Sequence, residues 1–118
     1  MLKATLLIGL PGSGKTHLGE SLSSNFVDDP KEKPIPHGEN LVIADPNFCI
    51  PHIRDEAIKY IKEYGYQVEC IYFENNPKQC KINAINRNDG REVMLTIDYY
   101  SGLYNIPSGI IPRKVWQT

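Results

Sequence analysis

The stretch GLPGSGKT, Gly9 to Thr16, packs three glycines, a proline and a lysine into eight residues and follows directly on the apolar run KATLLI. Gly9, four residues, then Gly14-Lys15-Thr16 is a spacing suited to holding phosphate. Glycines accept backbone angles that turn successive N–H groups inward, where phosphate oxygens can be bonded with no side chain in the way. A helix starting near Gly14 would add the partial positive charge of its N-terminus. Lys15 could then reach the β and γ phosphates and the Thr16 hydroxyl could ligate the accompanying Mg²⁺. The expected ligand is a nucleoside triphosphate with Mg²⁺, contacted by Gly9, Pro11, Gly12, Ser13, Gly14, Lys15 and Thr16. The competing reading is a glycine-rich turn that matches by chance; the apolar run before it and the helical pattern after it speak against that.

Phosphate loops serve switches, motors and small kinases alike. The chain is too short for the added elements that couple hydrolysis to motion, and it has no guanine-reading NKxD-like sequence. Kinase chemistry needs an acceptor hydroxyl held in line, a carboxylate beside it and positive charge on the migrating phosphoryl group. Asp28 and Asp29 follow a short strand at what would be the ligand-binding edge of a parallel sheet, and one of them could accept the acceptor's proton. They read equally as a solvated turn pair before Pro30. Asp45 closes the apolar run LVIAD and could orient a metal-bound water or the acceptor, or simply form an Asp-Pro turn or cap the next helix. Arg87 and Arg91 flank the turn Asn88 to Gly90 and could swing over bound phosphates as a lid. Solvated helix decoration is the commoner fate of Lys78, Lys81 and Arg87. His17, His37 and His52 share no metal spacing and read as surface or packing residues.

These residues need a scaffold. Ala4 to Ile8 and Leu41 to Asp45 are continuous apolar runs of the kind that form buried parallel strands, and Tyr66 to Phe73 reads as a further strand. Phe26 and Val27 suggest a short one. Leu18 and Leu22 lie four apart on the helix after Gly14. Pro51 opens a helix whose apolar stripe is Ile53, Ala57, Ile61 and Tyr64, and Gly65 stops it. Asn76 and Pro77 cap a helix running from Lys78 to about Arg87. Val93, Ile97, Tyr100 and Tyr104 mark another helix, ended by Pro107, and Ile110 to Trp116 suggests a last strand. Residues 28–40 read as a proline-rich loop. Strands alternating with helices give an α/β fold, expected as a three-layer α/β/α phosphate-loop (P-loop) NTPase fold with a parallel sheet of about five strands.

At 118 residues, 41% hydrophobic and 23% charged, the chain suits one domain over residues 1–118 with a single core. A net charge of −1 argues against a strong nonspecific nucleic-acid binder, so any polynucleotide would be held by a local basic patch. Cys49, Cys70 and Cys80 have no zinc-like spacing and are expected reduced and buried. The N-terminal run reads as a strand rather than a signal peptide. No segment approaches the roughly 18 apolar residues of a membrane span, which gives the expectation of a cytoplasmic protein without a membrane partner.

GLPGSGKT, the DDP after a short strand, VIADPNF, EYGYQVECIYF and CKINAINR, in that order, resemble the kinase module of phage-type polynucleotide 5′-hydroxyl kinases and their zeta-toxin-like relatives. The likeness runs over most of the chain and is strongest from Ile43 to Phe73, where Asp45-Pro46-Asn47, Tyr64-Gly65 and Val68-Glu69 match the family's pattern. It implies ATP and Mg²⁺, Lys15 and Thr16 on phosphates and metal, Asp29 in preference to Asp28 as general base, Asp45 with Asn47 in the acceptor site, and Arg87 as the lid arginine. The departures concern the acceptor: PKEKP offers Lys31 and Lys33 where the family carries an arginine, a proline-rich loop replaces its acceptor-binding helix, and Asn83 stands where relatives often have another lid arginine. The expected function is transfer of the γ-phosphoryl group of ATP to a hydroxyl, foremost a nucleic-acid 5′ end. A kinase of nucleosides, nucleotides or other small molecules and an ATP-binding regulatory module without transfer are the alternatives.

Overall fold

The apolar run near the N-terminus forms β1 (Lys3–Ile8), in which Ala4, Leu6, Leu7 and Ile8 are all fully buried. The structure is a computed structural model and describes residues 2–22, 26–28, 39–88 and 91–117. Along the chain follow α1 (Lys15–Leu22), β2 (Phe26–Asp28), β3 (Leu41–Ala44), a 3₁₀ turn (Pro46–Cys49), α2 (Pro51–Glu63), β4 (Gln67–Tyr72), α3 (Pro77–Asn86) and α4 (Arg91–Leu103). The strands make one parallel sheet in the order β2-β3-β1-β4. Leu6 pairs with Ile43 on one side and with Cys70 on the other, so β1 is central.

Burial on both faces explains why β1 and β3 are apolar at consecutive positions instead of alternating. Leu6, Ile8, Leu41 and Ile43 pack with Ile61 of α2, Ala84 of α3 and Ile97 of α4. Leu7, Val42 and Ala44 point the other way and are covered by Leu18 of α1 and by Phe26. Helices therefore flank both faces of an α/β sheet. The chain leaves β1 toward β2 on one side, and from β3 crosses to β4 on the other. The carboxyl ends of β1 and β3 thus border the position where the direction of winding reverses, the usual place for a ligand in open α/β sheets.

Local chemistry accounts for the helix boundaries. Pro51 and Pro77 occupy first-turn positions, and the Asn76 side chain accepts from the Gln79 N–H at 3.1 Å. Gly65, at φ +87°, takes the left-handed conformation that ends α2. The expected α2 stripe is corrected at its end. Tyr64 is exposed and meets Tyr60 edge-on, their hydroxyls 3.0 Å apart. Arg54 is buried instead, its guanidinium 5.3 Å from the centre of the Tyr72 ring and hydrogen-bonded to the carbonyls of Phe48 and Asn105. A cation over an aromatic face, with carbonyls taking its N–H groups, is how a guanidinium tolerates that environment.

The strand expected over Ile110 to Trp116 is reduced to one parallel bridge between Phe73 and Arg113, so four strands stand among the described residues where about five were expected. The bridge consists of Arg113 N–H to Tyr72 O at 2.7 Å and Glu74 N–H to Arg113 O at 2.9 Å. The segment after Phe73 then turns away to cap α3 at Asn76, so Val115 N–H finds the Glu74 carboxylate and Trp116 N–H finds Ser13 O. Cys49 and Cys80 are buried and Cys70 is half-buried, all as free thiols. Among the described residues no helix is long and apolar enough to cross a membrane.

Candidate functional site

The segment between β1 and α1 curls on itself. Ser13 N–H bonds Leu10 O at 3.1 Å, while Gly12 and Gly14 take φ values of +84° and +102° that L side chains rarely adopt. At Gly12 the requirement is also steric, since a Cβ there would lie 2.7 Å from the carbonyl oxygen of Cys80. The first intrahelical bond of α1, Leu18 N–H to Gly14 O, is 3.0 Å long, so the helix N-terminus opens directly onto the curl. Lys15 is buried at 7% exposure, its ammonium donating to the carbonyls of Gly9 and Leu10, both at 2.9 Å. Thr16 follows on the first turn with an exposed side chain.

Two distant parts of the chain brace this curl. Asn83 of α3, 2% exposed, donates through Nδ2 to Gly12 O at 2.8 Å and to Trp116 O at 2.6 Å, while its Oδ1 accepts from Gln79 Nε2 at 2.9 Å. Trp116 N–H in turn bonds Ser13 O at 3.0 Å. A Cβ on Gly14 would lie 2.8 Å from the Trp116 Cβ, so the C-terminal segment rests directly on the loop. The sheet edge is tied from beneath by the Tyr104 hydroxyl, which lies 2.6 Å from Phe73 O and 3.1 Å from Ile8 O.

A cavity of about 550 Å³ opens over the curl, lined by Gly12, Gly14, Lys15 and Thr16 on one side and by Arg87 and Trp116 on others. That volume falls within the roughly 300–1,000 Å³ typical of small-molecule sites. Glycine backbone, a helix N-terminus and a lysine bordering one space suit an anion. The Ser13 hydroxyl, buried without a hydrogen-bond partner, adds a polar group with donor capacity at the same bend. No group of three or more His, Cys, Asp or Glu among the described residues could hold a metal ion by itself. A cation here would rest on Thr16 and on the oxygens of its anionic ligand.

The expected site residues fall into three groups. Gly9, Pro11, Gly12, Ser13, Gly14, Lys15 and Thr16 form the curl, and Arg87, exposed at the C-terminus of α3, lines the cavity above it. Asp45 and Asn47 flank Pro46, itself a lining residue. The Asp45 carboxylate accepts from Asn47 N–H at 2.9 Å as the cap of the 3₁₀ turn, the local role open to an Asp-Pro pair, and Asn47 Oδ1 accepts from the Tyr100 hydroxyl at 2.8 Å. Asp28 is the last residue of β2, in register with Ala44, so its backbone lies at the same sheet edge. Asp29, Lys31 and Lys33, and the side chains of Asp28 and Arg91, lie outside the described residues.

Sequence reasoning missed Trp116, and it read His17 as a surface or packing residue. The two rings meet at a tilt with centroids 4.2 Å apart, and both line the cavity. Asn83 stood out only as an arginine that was missing; its bonds to two backbone carbonyls are what the sequence could not display. Burial pushes the Cys80 thiol up to about 11 and the Cys49 thiol up to about 12, against the opposing pull of Lys15 on both. Both thiols are therefore neutral near pH 7 and poor nucleophiles.

No protein-family model matches the chain. It is 40% identical over 117 residues to the uncharacterized protein R277 of Acanthamoeba polyphaga mimivirus, across 86% of this chain and 85% of that protein. It is also 26% identical over 101 residues to the ribosome maturation factor RimM of Mesoplasma florum, across 86% of this chain and 58% of that longer protein.

Proposed function

The chain belongs to the same family as the mimivirus protein R277, and for it we propose a P-loop NTPase fold and an ATP-dependent phosphotransferase activity, with a hydroxyl, foremost a nucleic-acid 5′ end, as acceptor. The observation that carries this reading is the bend between β1 and α1, where two left-handed glycines, a helix N-terminus and the inward-turned Lys15 converge. The amides of the bend hold the phosphates, and Lys15 exchanges the carbonyls of Gly9 and Leu10 for phosphate oxygens. Mg²⁺, when bound with Thr16, supplies charge neutralisation for the transferred group. Arg87 adds positive charge from the α3 side. Asp29, or its neighbour Asp28, takes the proton of the acceptor hydroxyl, and Asp45 with Asn47 orients the acceptor at the rim.

Incubation with γ-labelled ATP, Mg²⁺ and a panel of acceptors tests the reading. Label in a 5′-hydroxyl oligonucleotide supports it, and label only in nucleosides, nucleotides or sugars replaces the acceptor with a small molecule. Asp29→Ala should abolish transfer while leaving ATP binding intact, and unchanged transfer would remove the base assignment. A second reading, ATP binding without transfer, is favoured by one observation: the carboxylate among the described lining residues is Glu20, which sits on α1 and not at the sheet edge. ATP uptake with neither transfer nor hydrolysis would establish that reading instead.

A further inference from the structure

The cavity over the 9–14 bend is lined by more than the residues of the bend itself. Among the others is Trp116, 46% exposed, beside His17 and Arg87. An indole facing water is common on protein surfaces, but the backbone that carries this one is fixed to the bend at two points. The Trp116 backbone N–H bonds Ser13 O at 3.0 Å, and the Trp116 carbonyl accepts from the Asn83 side chain at 2.6 Å. Its Cβ lies so near the Gly14 backbone that no larger residue would fit there. His17, two residues beyond Lys15, leans on the ring with a 47° tilt between planes. The Trp116 backbone and the bend are thus tied together, which places the indole beside the glycine curl on the same cavity.

A ligand carrying a polyphosphate at one end and a flat aromatic ring at the other would bridge both. We propose that Trp116, supported by His17, is the platform on which the nucleobase of a bound nucleoside triphosphate stacks. This rests on the phosphate-binding reading above and adds to it the group that recognises the base. Stacking uses the π face that all nucleobases share, so the platform tolerates different bases and favours a nucleotide over bare polyphosphate.

The chain contains a single tryptophan, so its intrinsic fluorescence reports on this position alone. ATP and GTP, each with Mg²⁺, should quench that emission and bind within a few-fold of one another, whereas inorganic tripolyphosphate with Mg²⁺ should bind without comparable quenching. By calorimetry, Trp116→Ala should weaken ATP by roughly 5- to 150-fold, the range that removal of one stacking partner gives, and leave tripolyphosphate unchanged. Trp116→Phe, which keeps a flat ring, should restore most of the difference. The readout is the ratio of the ATP and tripolyphosphate affinities, so a variant that disturbs the bend lowers both and does not imitate the effect. An unchanged ratio in Trp116→Ala overturns the platform while leaving the phosphate site standing. If neither ATP nor tripolyphosphate binds the wild-type chain, the phosphate-binding reading falls and the platform falls with it.

Discussion

Asn83 Nδ2 donates to the carbonyl of Gly12 at 2.8 Å, joining two residues 71 positions apart in the chain. The same amide nitrogen holds Trp116 O, so one side chain fixes both the bend and the segment that rests on it. Removing it leaves two partly buried carbonyls without their donor, at about 0.5–1.5 kcal/mol for each hydrogen bond lost. Asn83→Ala should lower the urea midpoint accordingly and weaken triphosphate binding. Asn83→Asp keeps the volume but removes both donors, so a loss at least as large as that of the alanine variant would show that hydrogen bonds, and not packing, hold the bend. Wild-type stability in Asn83→Asp would refute this role.

Gly12→Ala tests the backbone itself. The left-handed φ of +84° and a Cβ placed 2.7 Å from Cys80 O both oppose it. Strain of about 1–3 kcal/mol is expected. It should appear as a lower melting temperature together with a larger loss of triphosphate affinity, because the donors of the bend move. Thermal unfolding and calorimetry with ATP and Mg²⁺ measure the two effects separately.

Lys15→Met removes the ammonium and keeps much of the apolar stem. Under the proposed function the variant should bind triphosphate roughly 10- to 100-fold more weakly, the equivalent of a lost hydrogen bond to a charged group. In the absence of ligand its stability should fall as well, since the carbonyls of Gly9 and Leu10 lose a buried donor. Affinity within a factor of two of wild type would argue that phosphate does not sit on the bend.

Alkaline pH should destabilise the chain through its thiols. Cys80 and Cys49 titrate near 9.0 when unfolded, but burial pushes them to about 11 and about 12 when folded. Between those limits the folded state holds more protons than the unfolded state, so stability falls as pH rises. The contribution is fully present below pH 9 and lost progressively toward pH 11 to 12. Urea midpoints across that window should decline less steeply in Cys80→Ala than in wild type, whatever the absolute cost of the substitution. Equal slopes would mean that the thiol is ionised in the folded state.

What the sequence made legible was local. An apolar run followed by glycines and a lysine defines β1 and the bend because each residue's backbone preference acts on its neighbours. Asn76-Pro77 caps α3 for the same reason, and Gly65 ends α2. Periodicity put Tyr64 on the apolar stripe of α2, but it could not register that Arg54 has a flexible stem and finds the Tyr72 face and two carbonyls. The last strand failed because its length depended on β4's continuation, which turns at Asn76 to begin a helix. The meeting of Trp116 with Ser13 and Asn83 is set by the whole fold, and no local pattern near Trp116 announces it.

That meeting orders events during translation. Sheet pairing among β1, β3 and β4 can form once Tyr72 has left the ribosome, yet the bend stays unbraced until Asn83, and finally Trp116, emerge. A nascent chain halted before Val115 would carry the whole glycine motif with the Asn83 bond to Gly12 and still lack the Trp116 half of the clasp.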